Sequence, residues 1–184
     1  MPPFLKRMSM PTGRKWRKKA MQFHICGAEG KISDVEEILD RIKEFCEKER
    51  CEGQIFDAGL VFGKSHVLSA YEHAKRAFDE DKNSSKSLAT EILLYASGER
   101  QISSAIEKMG VKEGTTEFCI VLIGEKGLDE LVQHLGLERD DSVLDGDFEK
   151  LGEFGISKEE IQTVPGEKVF DLVLERVAMV DLLK

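Results

Sequence analysis

The stretch Ser87–Ile123, SLATEILLYASGERQISSAIEKMGVKEGTTEFCIVLI, decides the fold. Ser87 is a fair N-cap, and Ile92, Leu93, Leu94 and Ala96 supply the apolar body of a short helix, with Glu91 set among them. Gly98 is the natural left-handed residue to end that helix. Ile102, Ala105, Ile106 and Met109 then carry a second helix, which stops at Gly110. Thr115 to Gly124 is the most strand-like segment of the chain, and Phe118 to Ile123 is apolar throughout. Such a run suits a central strand covered on both faces. The stretch therefore reads as helix, break at Ser97-Gly98-Glu99-Arg100, helix, buried strand.

Working backwards, QFHICG from Gln22 alternates like a short strand closed by Gly27. Ser33 to Glu36 has the form of a capping box, leading into a helix with its apolar stripe at Val35, Ile38, Leu39, Ile42, Phe45 and Cys46. Gln54 to Gly63 reads as a strand and a glycine turn. The next helix has Ser65 as its expected N-cap and Val67, Ala70, Tyr71, Ala74, Ala77 and Phe78 as its buried stripe. Asp79 to Lys86 is a polar linker. Working forwards, Leu128, Leu131, Val132 and Leu135 form a helix capped by Gly136. Glu138 to Asp147 is expected to be a solvated acidic loop, since the ligand order of a calcium-binding loop is missing. Ser157 to Glu160 is a second capping box. A last helix follows Pro165-Gly166 on Val169, Leu172, Val173, Val177, Val180 and Leu183. This helix has too many apolar positions for one buried stripe, so its own domain swallows it or part of it docks a partner. The expected fold is α/β (α+β): a single domain with a small central β-sheet packed by several helices and an apolar C-terminal helix.

With 184 residues, 41% hydrophobic and 34% charged, the chain is long enough for one domain with its own core. No apolar run approaches the roughly 20 residues of a membrane span, and a cytoplasmic, membrane-free protein is expected. The net charge of −8 is unevenly spread. Lys6, Arg7, Arg14, Lys15, Arg17, Lys18 and Lys19 face no acid within residues 1–20, so the rest of the chain holds 20 basic side chains against 35 acidic ones. Residues 1–20 also hold three of the four prolines and read as a basic, disordered leader, with Met21 opening the folded domain of 21–184. Trp16 in that leader could stack on a base. An acidic body is a poor general binder of polyanions, so any nucleic-acid contact on it must be local.

The search for chemistry is mostly negative. No glycine-rich phosphate loop, nucleophile elbow or HExxH pattern occurs. Cys46 and Cys51 lie five apart without a matching second pair, which argues against zinc, and all four cysteines are expected to be reduced thiols. His66 and His73, seven apart, share a helical face without a nearby carboxylate partner, and no metal or cofactor is expected. Arg100 and Gln101 place a guanidinium and an amide at the exposed start of a helix, suited to a phosphate or a base edge. The plainer alternative is that Arg100 pairs with Glu99 or Glu91.

GKSHVLSAYEHAKRAF, SKSLATEILLYASGERQISSAIEKMGVKEG, the ERDDSVLD loop and the terminal LERVAMVDLL together resemble one family, with EILLYASGERQI its most specific piece. It is the small kinase-binding subunit of the archaeal and eukaryotic KEOPS complex, the TPRKB family, and the likeness runs over residues 21–184. The resemblance implies a non-enzymatic subunit of the machinery that makes threonylcarbamoyladenosine in tRNA. It implies binding to the kinase-like ATPase subunit and to the tRNA 3′ CCA end. Carried to this sequence, the CCA end is expected at Arg100, Gln101 and Ile102, with Lys64 and His66 on the neighbouring helix. Kinase docking is expected on the last helix at Val177, Val180, Leu182 and Leu183. The rivals are a general nucleic-acid-binding protein acting through its basic N-terminal arm, and a stand-alone small-molecule enzyme.

Overall fold

The computed structural model describes residues 22–125 and 127–183. The basic leader expected over residues 1–20, with Trp16, lies outside the described residues. Strand β1 (Gln22–Glu29) is followed by helix α1 (Val35–Glu49), β2 (Glu52–Asp57), α2 (Lys64–Asp79), α3 (Leu88–Ser97) and α4 (Ile102–Met109). Then come β3 (Glu117–Gly124), α5 (Leu128–Leu135), β4 (Glu138–Arg139), α6 (Lys158–Gln162) and α7 (Asp171–Leu183). The strands form one antiparallel sheet in the order β2-β3-β1-β4.

Strand β3 is the centre, hydrogen-bonded on both edges and covered on both faces. Residues Phe118 to Ile123 are all 0–2% exposed. Alternation along the strand divides them. Phe118, Ile120 and Leu122 join Ile38, Ile42, Leu131 and Leu135 in a core beneath α1 and α5. Cys119, Val121 and Ile123 face a larger core built from α2, α3, α4 and α7. Each fully buried aliphatic or aromatic side chain contributes about 1.5–3 kcal/mol, which is why an unbroken apolar run settles at the centre of the sheet.

Three local expectations are corrected. The α1 N-cap is Asp34, not Ser33: its extended backbone lets Oδ1 accept from the Glu36 and Glu37 amides at 2.7 and 3.4 Å. Helix α2 starts at Lys64 after Gly63, which has no side chain with which to cap, so Ser65 lies inside the helix. The acidic stretch from Glu138 is more than a solvated loop. Glu138 and Arg139 pair with β1, Asp141 accepts the Gly27 amide at 3.0 Å, and Leu144 is buried. The polar stretch hid a fourth strand because two paired residues are too few to show an alternation. The Ser157–Glu160 capping box forms as expected, with both reciprocal bonds present.

Candidate RNA- and partner-binding surfaces

The α3–α4 junction is built from below. Gly98 takes the left-handed conformation (φ 70°, ψ 14°) that a side chain would strain, and its amide closes the last turn on Leu94 and Tyr95 carbonyls. Lys108 folds back from α4 and donates from Nζ to the Ser97 carbonyl at 2.7 Å. It also reaches Glu99 Oε1 at 3.4 Å and lies 4.1 Å from the centre of the Phe154 ring. A cation thus covers the negative end of α3. Burial draws the Lys108 pKa down, with Glu99 opposing.

This arrangement engages the acids that the plainer alternative assigned to Arg100. Glu99 lies against Lys108, and buried Glu91 accepts the Ser84 and Ser85 amides at 3.1 and 2.7 Å. The fully buried Glu91 is therefore a staple for the linker between α2 and α3. Arg100 and Gln101 are exposed, Gln101 as the N-cap residue of α4 without a side-chain capping bond. Ile102 is half-buried beside them.

The two α2 residues expected at this surface behave differently. Lys64 is exposed but ion-paired, its Nζ 2.6 Å from Asp141 Oδ2. Burial opposes the charge on Asp141, yet hydrogen bonds from Lys64, the Gly27 amide and Arg139 win and hold its pKa at about 2. His66 is fully buried and presents no atom to a surface ligand, which corrects its place in the contact set. Its Nδ1 accepts the Phe62 amide at 3.2 Å and its Nε2 donates to the Ala96 carbonyl at 2.8 Å. Burial pushes its pKa down to about 4, against the Ala96 bond, so the ring is neutral. His66 pins the start of α2 to the end of α3, two residues before Gly98. It positions the junction without touching what binds there.

Helix α7 passes behind the same junction. A Cβ added at Gly98 would lie 3.8 Å from the Arg176 Cβ. Arg176 donates to the Phe154 and Gly155 carbonyls, each at 3.2 Å, and to Glu160 Oε1 at 2.6 Å. Val173, Val177 and Val180 are fully buried. Val177 and Val180 therefore anchor α7 in its own core, a correction to their expected place on the docking face. Met179, Leu182 and Leu183 are 44, 78 and 43% exposed, as is Leu68 of α2 at 45%.

Asp181 fastens the tip of the helix. Its Oδ1 accepts from the Tyr95 hydroxyl at 2.6 Å, and its Oδ2 accepts from Arg76 at 2.7 Å and lies 2.7 Å from His73 Nδ1. Partial burial would raise the Asp181 pKa, but these three partners hold it below the ordinary value. Neither this knot nor the His66 and Lys108 supports were found from sequence. The knot and the His66–Ala96 bond join residues 30 or more apart, and Lys108 reaches back eleven to Ser97. The one available signal was a charged residue inside an apolar pattern, as with Glu91.

On the far side of the sheet, a cleft of about 480 Å³ between α1 and α5 is lined by Glu44, Phe45, Lys48, Glu49, Glu130, Gln133 and His134. No group of three or more metal-ligating side chains occurs among the described residues. No helix among them is long and apolar enough to cross a membrane.

The sequence profile of a family described as kinase binding protein CGI-121 matches residues 30–181, which include the junction and α7 up to Asp181. The chain belongs to the CGI-121 family. A regulatory protein Cgi121 of Methanocaldococcus jannaschii is 37% identical over 134 residues, covering 71% of this chain and 84% of the relative. Shorter likenesses connect the chain to two fungal members named as EKC/KEOPS complex subunits. The Coccidioides immitis protein is 27% identical over 67 residues, 36% of this chain and 32% of its own length. The Aspergillus fumigatus protein is 30% identical over 67 residues, 36% and 35% respectively. The expected family is the one found, and the mixed helix-and-sheet single domain agrees with the expected fold class.

Proposed function

We propose that the chain is a non-catalytic regulatory subunit of a KEOPS tRNA-modification complex, acting in the cytoplasm. In this reading it binds the kinase-like ATPase subunit and the 3′ CCA end of tRNA. The observation that carries it is the family match, which spans nearly the whole described domain and whose own description is a kinase binding protein. The exposed end of α7 supports kinase docking, since Met179, Leu182 and Leu183 are large apolar side chains left in water at one helix tip. For tRNA, support comes from Arg100 and Gln101, exposed at an uncapped helix start, where planar donors can meet a splayed base or a phosphate. Lys64 contributes less charge than its position suggests, because Asp141 already neutralises it.

Removing everything after Arg176 would be a poor test, since it also deletes the buried Val177 and Val180. The sharper experiment keeps the full chain and changes Leu182 and Leu183 to Asp. Copurification with the kinase-like subunit is expected to fall at least tenfold, and unaltered copurification by a folded variant would refute the docking face. In parallel, Arg100→Ala should weaken tRNA binding about tenfold in a gel shift at moderate salt while stability stays unchanged. Equal affinity of that variant for tRNA with and without CCA, at the parent's value, would dismiss the RNA site. Loss of both duplex DNA and tRNA binding on deleting residues 1–20 would favour the basic-arm reading.

A further inference from the structure

Cys46 and Cys51 meet at the end of α1. Arg50 takes the left-handed conformation (φ 56°), and the Cys51 amide donates to the Cys46 carbonyl at 3.1 Å. That bond closes the helix so that residues five apart face each other, the geometry in which their side chains come into contact. Both residues are only 3% exposed. The close fit is visible in the neighbouring strands: a Cβ at Gly53 would lie 3.0 Å from Cys46 Sγ, and one at Gly124 would lie 2.7 Å from Cys51 Cβ.

We propose that Cys46 and Cys51 are a site of intramolecular disulfide formation that reacts with hydroperoxides, on the sheet face opposite the junction. Cys51 is the attacking sulfur. The side-chain interaction with Cys46 draws the Cys51 pKa down against the effect of burial, and the same interaction raises that of Cys46. The Cys51 thiolate attacks one peroxide oxygen, the O–O bond breaks, and the departing oxygen leaves as hydroxide or alkoxide to be protonated. Cys51 becomes a sulfenic acid. The Cys46 sulfur then attacks the Cys51 sulfur, its proton goes to the displaced hydroxide, and water leaves as the S–S bond forms. Each sulfur is oxidised by one electron, and the two peroxide oxygens are reduced by one electron each.

The other two cysteines cannot substitute. Cys26 stands opposite Ile120 and Cys119 opposite Gly27 in the β1–β3 ladder, so their side chains point to opposite faces of the sheet. Burial pushes the Cys26 thiol up to about 11 and the Cys119 thiol well above its ordinary value. Both are poor nucleophiles at neutral pH.

The test exposes the folded full chain to hydrogen peroxide, alkylates it under denaturing conditions and maps tryptic peptides by mass. The expected product joins EFCEK (residues 44–48) to CEGQIFDAGLVFGK (residues 51–64), with Cys26 and Cys119 alkylated and a thermal midpoint raised by about 4 °C. Four alkylatable thiols after exposure, or links that involve Cys26 or Cys119, would overturn the proposal. A Cys46→Ser variant separates the steps: with no resolving thiol, dimedone should label Cys51. A folded variant, checked by circular dichroism, that takes up no label at Cys51 overturns the assignment of the attacking sulfur.

Discussion

Helices α3 and α7 look alike in sequence and are used in opposite ways. Both are dominated by Leu, Ile, Val and Ala, with acids set in the apolar run: Glu91 in α3, Glu175 and Asp181 in α7. Every residue of α3 from Ala89 to Ser97 is buried, Glu91 included. Helix α7 buries Leu172, Val173, Val177 and Val180 and leaves Met179 and Leu182 in water. The difference lies in the neighbours. Helix α3 packs against α2, α4, α7 and β2, whereas α7 packs on α2 and α3 from outside. An apolar helix with few polar positions can be a core element or a partly filled docking edge, and only its surroundings decide which. The acids follow the same logic: Glu91 closes the linker before α3, while Asp181 ties down the end of α7 beside its exposed leucines.

The contrast is most directly broken by truncating one leucine in each helix. Leu94→Ala in α3 should cost about 2–5 kcal/mol, because a fully buried side chain leaves a cavity. Leu182→Ala should cost less than about 0.5 kcal/mol in urea denaturation. Similar losses for the two would abolish the distinction.

Next in size is the pH response of the pin beneath α3. His66 is neutral in the fold with its pKa lowered to about 4, so the unfolded chain takes up a proton first as pH falls. Its contribution is complete above about pH 6.5 and declines between there and pH 4, by about 1.4 kcal/mol per pH unit at most. Urea midpoints at pH 7.5 and 4.5 should show this loss, and His66→Gln should flatten that part of the slope. A parallel slope in the variant would mean that the histidine does not set it.

A smaller change than that of His66 is expected at the Asp181 knot. Asp181→Asn keeps the shape but gives up the charge that Arg76 and His73 meet. With the carboxylate about a third exposed, water recovers much of the loss, and about 1 kcal/mol is expected. Amide hydrogen exchange should speed up in the last turn of α7 and stay unchanged in α3. Faster exchange in α3 as well would show the two helices to be one cooperative unit.

Much of the fold was legible because its signals are local. Gly98, Gly136 and the Ser157–Glu160 box are readable within four residues, and the Phe118–Ile123 run could only be buried. The errors were local too. Asp34 and Ser33 are both good caps, and no neighbouring residue chooses between them. The candidate site was legible only at its surface. Arg100, Gln101 and Leu182 are exposed where the pattern put them, but His66, Val177 and Val180 lie inside. Helical spacing gives the direction of a side chain relative to its own helix and is silent about what packs there.

The sequence by itself determined the helices, the central strand and the break between α3 and α4, because each follows from backbone preference and the period of apolar residues. It also carried enough likeness to place the chain in its family. Tertiary structure alone decided which polar groups were committed. Lys64 is neutralised by Asp141, Glu99 by Lys108, and Asp181 is held by Tyr95, Arg76 and His73. The physical reason is that hydrogen bonds and ion pairs depend on distances of about 3 Å between residues far apart in the chain. A one-dimensional pattern records hydrophobicity at each position but not those distances.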